Sequence, residues 1–211
     1  MKYCICSGAL LLAATLHVQA GPVPAAATLQ TCAACHGDRG QGNPALGAPR
    51  LAGQQADYLL QQLQGFKTGR RGYDARDSHG AQMRAVVANL DEAEFASLAL
   101  HYAGQDLGSG GESSVANAGG KAAYQGTCAA CHGPVGDGYA LLKTPNLRIL
   151  DAAYLERQLS HYAEGLRGAD AHADQHGIWM RGISLQVGGA AERKAIVDYI
   201  GTLAPTSAAG Q

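Results

Sequence analysis

The 211-residue chain carries 16 lysines and arginines against 17 aspartates and glutamates, so its formal charge is close to zero. With no basic surplus and no run of like charge, the composition excludes a dedicated nucleic-acid binder and a charged disordered tail. Aromatic residues make up only 6% of the chain, with one Trp and two Phe. That is too few large rings to fill two cores of about 90 residues each, and a bulky apolar cofactor would make up the difference.

In chain order, residues 1–20 read as an export signal. Lys2 precedes an apolar run from Gly8 to Leu16, and Val18-Gln19-Ala20 gives a small-x-Ala cleavage pattern, with Ala27 as an alternative cut. The run is too short to span a bilayer. A first domain is expected over 21–105. It opens on TCAACHG at Thr31, followed by a long Gly-rich stretch, HGDRGQGNPALGAPR. Leu59, Leu60, Leu63 and Phe66 recur at helical spacing in QQADYLLQQLQGF. A second helix is marked by Asp91 with Glu94 three residues on, a capping box ahead of Phe95, Leu98, Ala99 and Tyr102, and Gly104 ends it. Residues 106–116, rich in Gly and Ser, read as a linker. A second domain is expected over 117–211. It repeats TCAACHG from Thr127, and its last helix carries Ile196, Tyr199, Ile200 and Leu203 ahead of Pro205.

The repeat runs well beyond the cysteines. Pro49, Leu51, Tyr58, Gln62, Leu63, Phe66 and Arg71 match Pro145, Leu147, Tyr154, Gln158, Leu159, Tyr162 and Arg167, each 96 residues on. Met83 and Tyr102 match Met180 and Tyr199 at 97, so one residue is inserted after Arg71 or its counterpart. The chain is a tandem duplication of an all-α unit, with no alternating strand pattern in either half.

Cys32, Cys35, Cys128 and Cys131 are the only cysteines beyond the leader, and all sit in C-x-x-C-H. A four-thiolate zinc site would need two pairs separated by a whole domain to converge. A thioredoxin-like pair needs a βαβ context that is missing, and a disulfide in each pair leaves His36 and His132 unused. Covalent c-type haem uses every residue. The two thiols add to the two vinyl groups on one porphyrin edge, and the histidine that follows is brought under the iron. Two covalently attached haems are therefore expected. For the opposite face of the iron, Met83 and Met180 lie 47 and 48 residues after His36 and His132. Thioether ligation raises the potential and closes the sixth position. His79 and His176, each four residues before its methionine, are alternative nitrogen ligands. His101, His161 and His172 have no such pairing and are assigned to the surface.

CAACHGDRGQGNP, PRLAGQQADYLLQQLQGFKTGRR, the following Met and the C-terminal helix resemble the diheme cytochrome c4 family over essentially the whole chain beyond the leader. The resemblance implies two tandem cytochrome c domains with facing haem propionate edges, His36 and His132 as proximal ligands and Met83 and Met180 as distal ones. It also implies that the carbonyls of Pro49 and Pro145 accept the proximal ring N–H groups. By the same resemblance the protein is a periplasmic electron carrier, not an enzyme, between a quinol-oxidising cytochrome bc complex and a haem–copper oxidase, with loose membrane association compatible. A cytochrome subunit of a periplasmic dehydrogenase and a diheme peroxidase-like enzyme are the alternatives. Copy two departs from the pattern where KTPNLRILDAAYL replaces GAPRLAGQQADYL.

Overall fold

A computed structural model describes residues 23–108, 118–169 and 171–203. The leader, residues 109–116 of the linker and Pro205 lie outside the described residues. The described residues are helical, with no strand beyond a single antiparallel bridge between Asn43 and Ala48.

In the first half, α1 (Ala26–His36) leads through a 3₁₀ turn (Pro44–Leu46) to α2 (Ala56–Lys67), α3 (Ser78–Val87) and α4 (Glu92–Ala103). In the second half, α5 (Ala118–Ala123), a π-helical turn (Tyr124–Cys128) and α6 (Ala129–His132) stand where α1 stands in the first. A 3₁₀ turn (Ala140–Leu142), α7 (Ala152–Glu164), α8 (Gln175–Ser184) and α9 (Ala190–Thr202) follow.

Local chemistry explains these boundaries. The capping box at Asp91 is complete: the Glu94 backbone N–H donates to Asp91 Oδ1 and the Asp91 N–H to Glu94 Oε2, both at 2.9 Å. Asp77, Asp151 and Asp174 cap α3, α7 and α8 by the first of these bonds alone, accepting from the N–H groups of Gly80, Tyr154 and Gly177. Gly37 and Gly133 turn to φ near +80° directly after the motif histidines and end those helices. The Gly-rich loops take much of their order from their own backbone. Gly42 and Gly138 donate back to the carbonyls of His36 and His132, and the Gly40 carbonyl accepts from both Leu51 and Ala52.

The core of the first half lies where α2 crosses α4. Leu59, Leu98, Ala99 and Tyr102 form one buried cluster, and Phe66, Val87 and Phe95 another. In the second half Leu155, Ile196, Val197, Tyr199 and Ile200 meet Tyr124, Leu147 and Val187. Each buried Val, Leu, Ile or Phe among them contributes roughly 1.5–3 kcal/mol by leaving water. Tyr124, fully buried, donates its hydroxyl to the Gly133 carbonyl at 2.7 Å. Copy one has Thr28 at the matching position.

The repeat's extra residue is now placed. Gly72 and Gly168 still match at 96, whereas the caps Asp77 and Asp174 match at 97, so the insertion falls within 169–173.

The halves dock through paired hydrogen bonds. Gln54 donates Nε2 to the Asn146 carbonyl and accepts the Asn146 N–H, at 3.0 and 2.7 Å. Gln54 belongs to the Ala-Gly-Gln segment that copy two lacks, so that departure supplies an interdomain contact. Arg157 donates to the Gly47 carbonyl at 2.6 Å, and Tyr73 to the Gly165 carbonyl at 2.7 Å. Two histidines assigned to the surface prove to belong to this seam. His161 is 8% exposed, with Nδ1 3.7 Å from Asp77 Oδ2 of the other half. The His172 ring stacks on Tyr73 at 4.1 Å.

Candidate functional site

Among the described residues a cavity opens in each half against the seam, and residues of the other half complete its wall. The first, of about 770 Å³, is lined by Cys32, Cys35 and His36 together with Met83 and His79. The second, narrower at about 200 Å³, is lined by Cys128, Cys131 and His132 together with Met180 and His176. The two C-x-x-C pairs thus serve separate cavities, and none of the four cysteines is in a disulfide. This arrangement removes the four-thiolate reading.

The motif helix explains the clustering. Cys32 and Cys35 are three residues apart and so share a helix face. His36 follows on the last turn of α1, and Gly37 then breaks the chain away. Burial raises the Cys32 thiol above its ordinary range and pushes Cys128 up to about 11, so both remain protonated near neutral pH. Cys35 and Cys131 are exposed.

His36 Nδ1 donates to the Pro49 carbonyl at 2.8 Å, the bond that the family resemblance implies. A carbonyl can only accept, which fixes the proton on Nδ1 and leaves Nε2 with its lone pair. Burial lowers His36 below the ordinary histidine range, with the Pro49 bond opposing. His132 is pushed down to about 4 by burial, with the Pro145 carbonyl opposing. Its buried Nδ1 makes no hydrogen bond of normal geometry, however, so the second half has the same partners with looser alignment.

The methionines sit on helices α3 and α8, which the sequence pattern did not reveal. Met83 packs beside Phe66, Val87 and Phe95. The alternative ligands, which line the same cavities, also have other contacts. His79 is exposed and lies against Gly47, where an added Cβ would meet its Nε2 at 2.6 Å. His176 is tied across the seam, its Nδ1 accepting from Gln61 Nε2 at 2.8 Å. The thiols, one imidazole and one thioether are a donor set that fits a c-type haem in each cavity.

Comparison with known proteins agrees. The cytochrome c sequence profile matches residues 24–101 and again 118–204. Cytochrome c4 of Pseudomonas aeruginosa is 32% identical, over 73% of this chain and 77% of its own. The crystal structure of reduced recombinant cytochrome c4 from Pseudomonas stutzeri superposes with a TM-score of 0.67 at 30% identity, covering 87% of this chain and 99% of that one. The chain belongs to the diheme cytochrome c4 family. A further relative, 32% identical over 96% of this chain and 91% of its own, is the thiosulfate dehydrogenase electron acceptor of Thiomonas intermedia. This cytochrome is therefore an electron-transfer protein with two covalently attached c-type haems, not an enzyme.

The surfaces of the two halves differ in a way the sequence did not flag. Val135, Tyr139, Leu141, Ile178, Trp179 and Leu185 of the second half are all exposed, and Trp179 also lines its cavity. Their counterparts in the first half are Arg39, Asn43, Ala45, Ala81, Gln82 and Ala88, although Leu46 and Val86 are exposed apolar residues that line the first cavity. The signal was available in an alignment of the repeat with itself.

Proposed function

We propose that this chain is a periplasmic electron carrier in which Cys32, Cys35, Cys128 and Cys131 hold the haems, His36 and His132 bind one face of each iron, and Met83 and Met180 bind the other. The observation that carries this reading is that each cavity collects one complete set of these donors, with its methionine on a different helix from its histidine. When bound, each haem supplies a one-electron iron couple. The protein's part is to hold and insulate. Pro49 orients the His36 imidazole as a neutral donor. Phe66, Val87 and Phe95 surround Met83 with apolar surface, which keeps water from the thioether side and favours the reduced, less charged site. Burial of His36 and His132 keeps both imidazoles unprotonated and ready to bind metal.

Electrons arrive from a quinol-oxidising cytochrome bc complex and leave to a haem–copper oxidase in this reading. The exposed apolar surface of the second half, Val135, Tyr139, Leu141, Ile178, Trp179 and Leu185, supports partner contact there, since the matching positions of the first half are polar or small. A second reading is favoured by the Thiomonas intermedia relative, which is named for accepting electrons from a thiosulfate dehydrogenase; here an exported dehydrogenase is the donor.

The test is spectroscopic. The reduced pyridine–haem assay gives two c-type haems per chain, and the oxidised protein shows the weak near-infrared band of Met-ligated ferric haem. Carbon monoxide binding to the native reduced protein, or loss of that band in His79→Ala but not in Met83→Ala, would overturn the ligand assignment. Stopped-flow mixing with a reduced bc complex and with a thiosulfate-reduced dehydrogenase separates the two donors.

A further inference from the structure

Six residues line both cavities: Tyr58, Gln62, Arg71, Leu150, Tyr154 and Gln158. Three of them, Gln62, Arg71 and Gln158, close a ring with Arg167, which lines the second cavity. Arg71 donates Nη1 to Gln62 Oε1 at 2.9 Å and Nη2 to Gln158 Oε1 at 3.2 Å. Arg167 donates Nη1 to Gln158 Oε1 at 2.7 Å and Nη2 to Gln62 Oε1 at 2.7 Å. Each arginine is thus bonded once to its own half and once to the other. Each guanidinium also lies over an aromatic ring of its own half, Arg71 on Phe66 at 4.2 Å and Arg167 on Tyr162 at 4.5 Å.

The charge of this ring has no carboxylate against it in the protein; its other polar neighbours are the hydroxyls of Tyr58, beside Arg167, and Tyr154, beside Arg71. Arg167 is only 7% exposed and Arg71 is half-buried. Among the described residues no carboxylate pairs with either; the ion pairs are Arg76–Asp74, His161–Asp77 and Lys194–Asp198. Two guanidiniums share the same two amide oxygens, so like charges stand close together where water is scarce. Arg71 Nε is buried and donates to nothing. Neutral amide and hydroxyl partners satisfy the N–H groups but leave the net positive charge without a counter-ion, which anions would supply. Haem brings such anions. Its two carboxylates lie on the ring edge opposite the one that bonds the cysteines, and the cysteines occupy other walls of these cavities.

We propose that Arg71 and Arg167, bridged by Gln62 and Gln158, form one carboxylate clamp shared by the two haems, and that this shared clamp sets both reduction potentials together. It rests on the presence of two haems. A guanidinium against the haem carboxylates disfavours the extra positive charge of the ferric state, so it raises the potential. Because each arginine is bonded into both halves, changing either one reaches both haems.

The experiment is a spectroelectrochemical titration of the full-length holoprotein and its variants, with haem content counted first by the pyridine–haem assay. In Arg167→Gln and Arg71→Gln both redox waves move to lower potential, each by about tenfold in reduction equilibrium constant, about 59 mV for one electron. Both waves also acquire a pH dependence near neutrality, as carboxylates without the clamp begin to protonate. Arg71→Lys and Arg167→Lys, which keep the charge, hold both waves within about half of that shift. Should Arg167→Gln fail to retain two haems, the half-buried Arg71→Gln and the two lysine variants still decide the matter. Unmoved potentials in a two-haem Arg71→Gln protein, or movement of one wave alone, overturn the shared clamp. A wild-type protein with fewer than two haems overturns the haem reading itself, which is a different failure.

Discussion

Gly72 and Gly80 lie back to back, and replacing Gly72 by alanine tests how Met83 is placed. Gly72 has φ +66°, and a Cβ built on it would stand 2.3 Å from both the carbonyl carbon and the oxygen of Gly80, in the first turn of α3. Ordinary contact begins near 3.4 Å, so α3 or the turn must give by roughly an ångström. The left-handed backbone and the overlap together cost about 2–6 kcal/mol, a large share of a domain's stability of about 5–15 kcal/mol. Part of the strain is relieved by moving α3, which carries Met83 one turn beyond Gly80. The expected result is a lower denaturant midpoint for the first half and loss of about half the near-infrared ferric band, with Met180 supplying the remainder. Gly168→Ala, whose Cβ would meet the Gly177 oxygen at 2.4 Å, produces the mirror result in the second half. Equilibrium urea unfolding and the oxidised spectrum read both effects. An unchanged midpoint with the full band intact would show that this glycine contact does not set the helix.

Gly182→Ala on α8 makes the contrast, since an added Cβ there meets nothing within 4 Å. It should stabilise by about 0.5–1 kcal/mol, read as a raised midpoint with unchanged spectra. Asp91→Ala breaks the capping box of α4 and costs about 1 kcal/mol in the same assay. His161 titrates below the ordinary histidine range because burial disfavours its charged form, with Asp77 opposing. The unfolded chain therefore binds this proton more readily, so the contribution is fully present above about pH 6.5 and is lost as pH falls. His161→Gln should flatten the acid side of the stability profile, and an unaltered slope counts against the assignment.

The duplication, the motif spacing and the α2, α4 and α9 helices were legible because each depends on residues close in sequence. The helices carrying the cofactor donors were not. TCAACH has no amphipathic stripe, since the face it turns inward bears cysteine and alanine rather than large apolar groups. In SHGAQMRAVV, Gly80 lowers helix propensity, and Met83 both lines a cavity and packs beside Phe66 and Phe95, so it is a single large apolar residue rather than part of a stripe. His161 was misread because its counterpart, Gly65, says nothing of burial and its partner Asp77 comes from the other half. Arg71 and Gln62 were visible as matched positions in the repeat, but their bridge to Arg167 and Gln158 exists only once the halves face each other.

The Gln–Arg ring has a consequence for how such a molecule is assembled. The same four contacts are made whichever half is taken as first, which is the rule for two identical subunits meeting on a twofold axis. Two separate chains held by that face would come apart on dilution, and their pairing would follow concentration. Joining them end to end makes the encounter intramolecular. The ratio of the halves is fixed at one to one, and each half becomes free to diverge, as Gln54, Tyr73 and His161 have, into a partner that its twin could no longer replace.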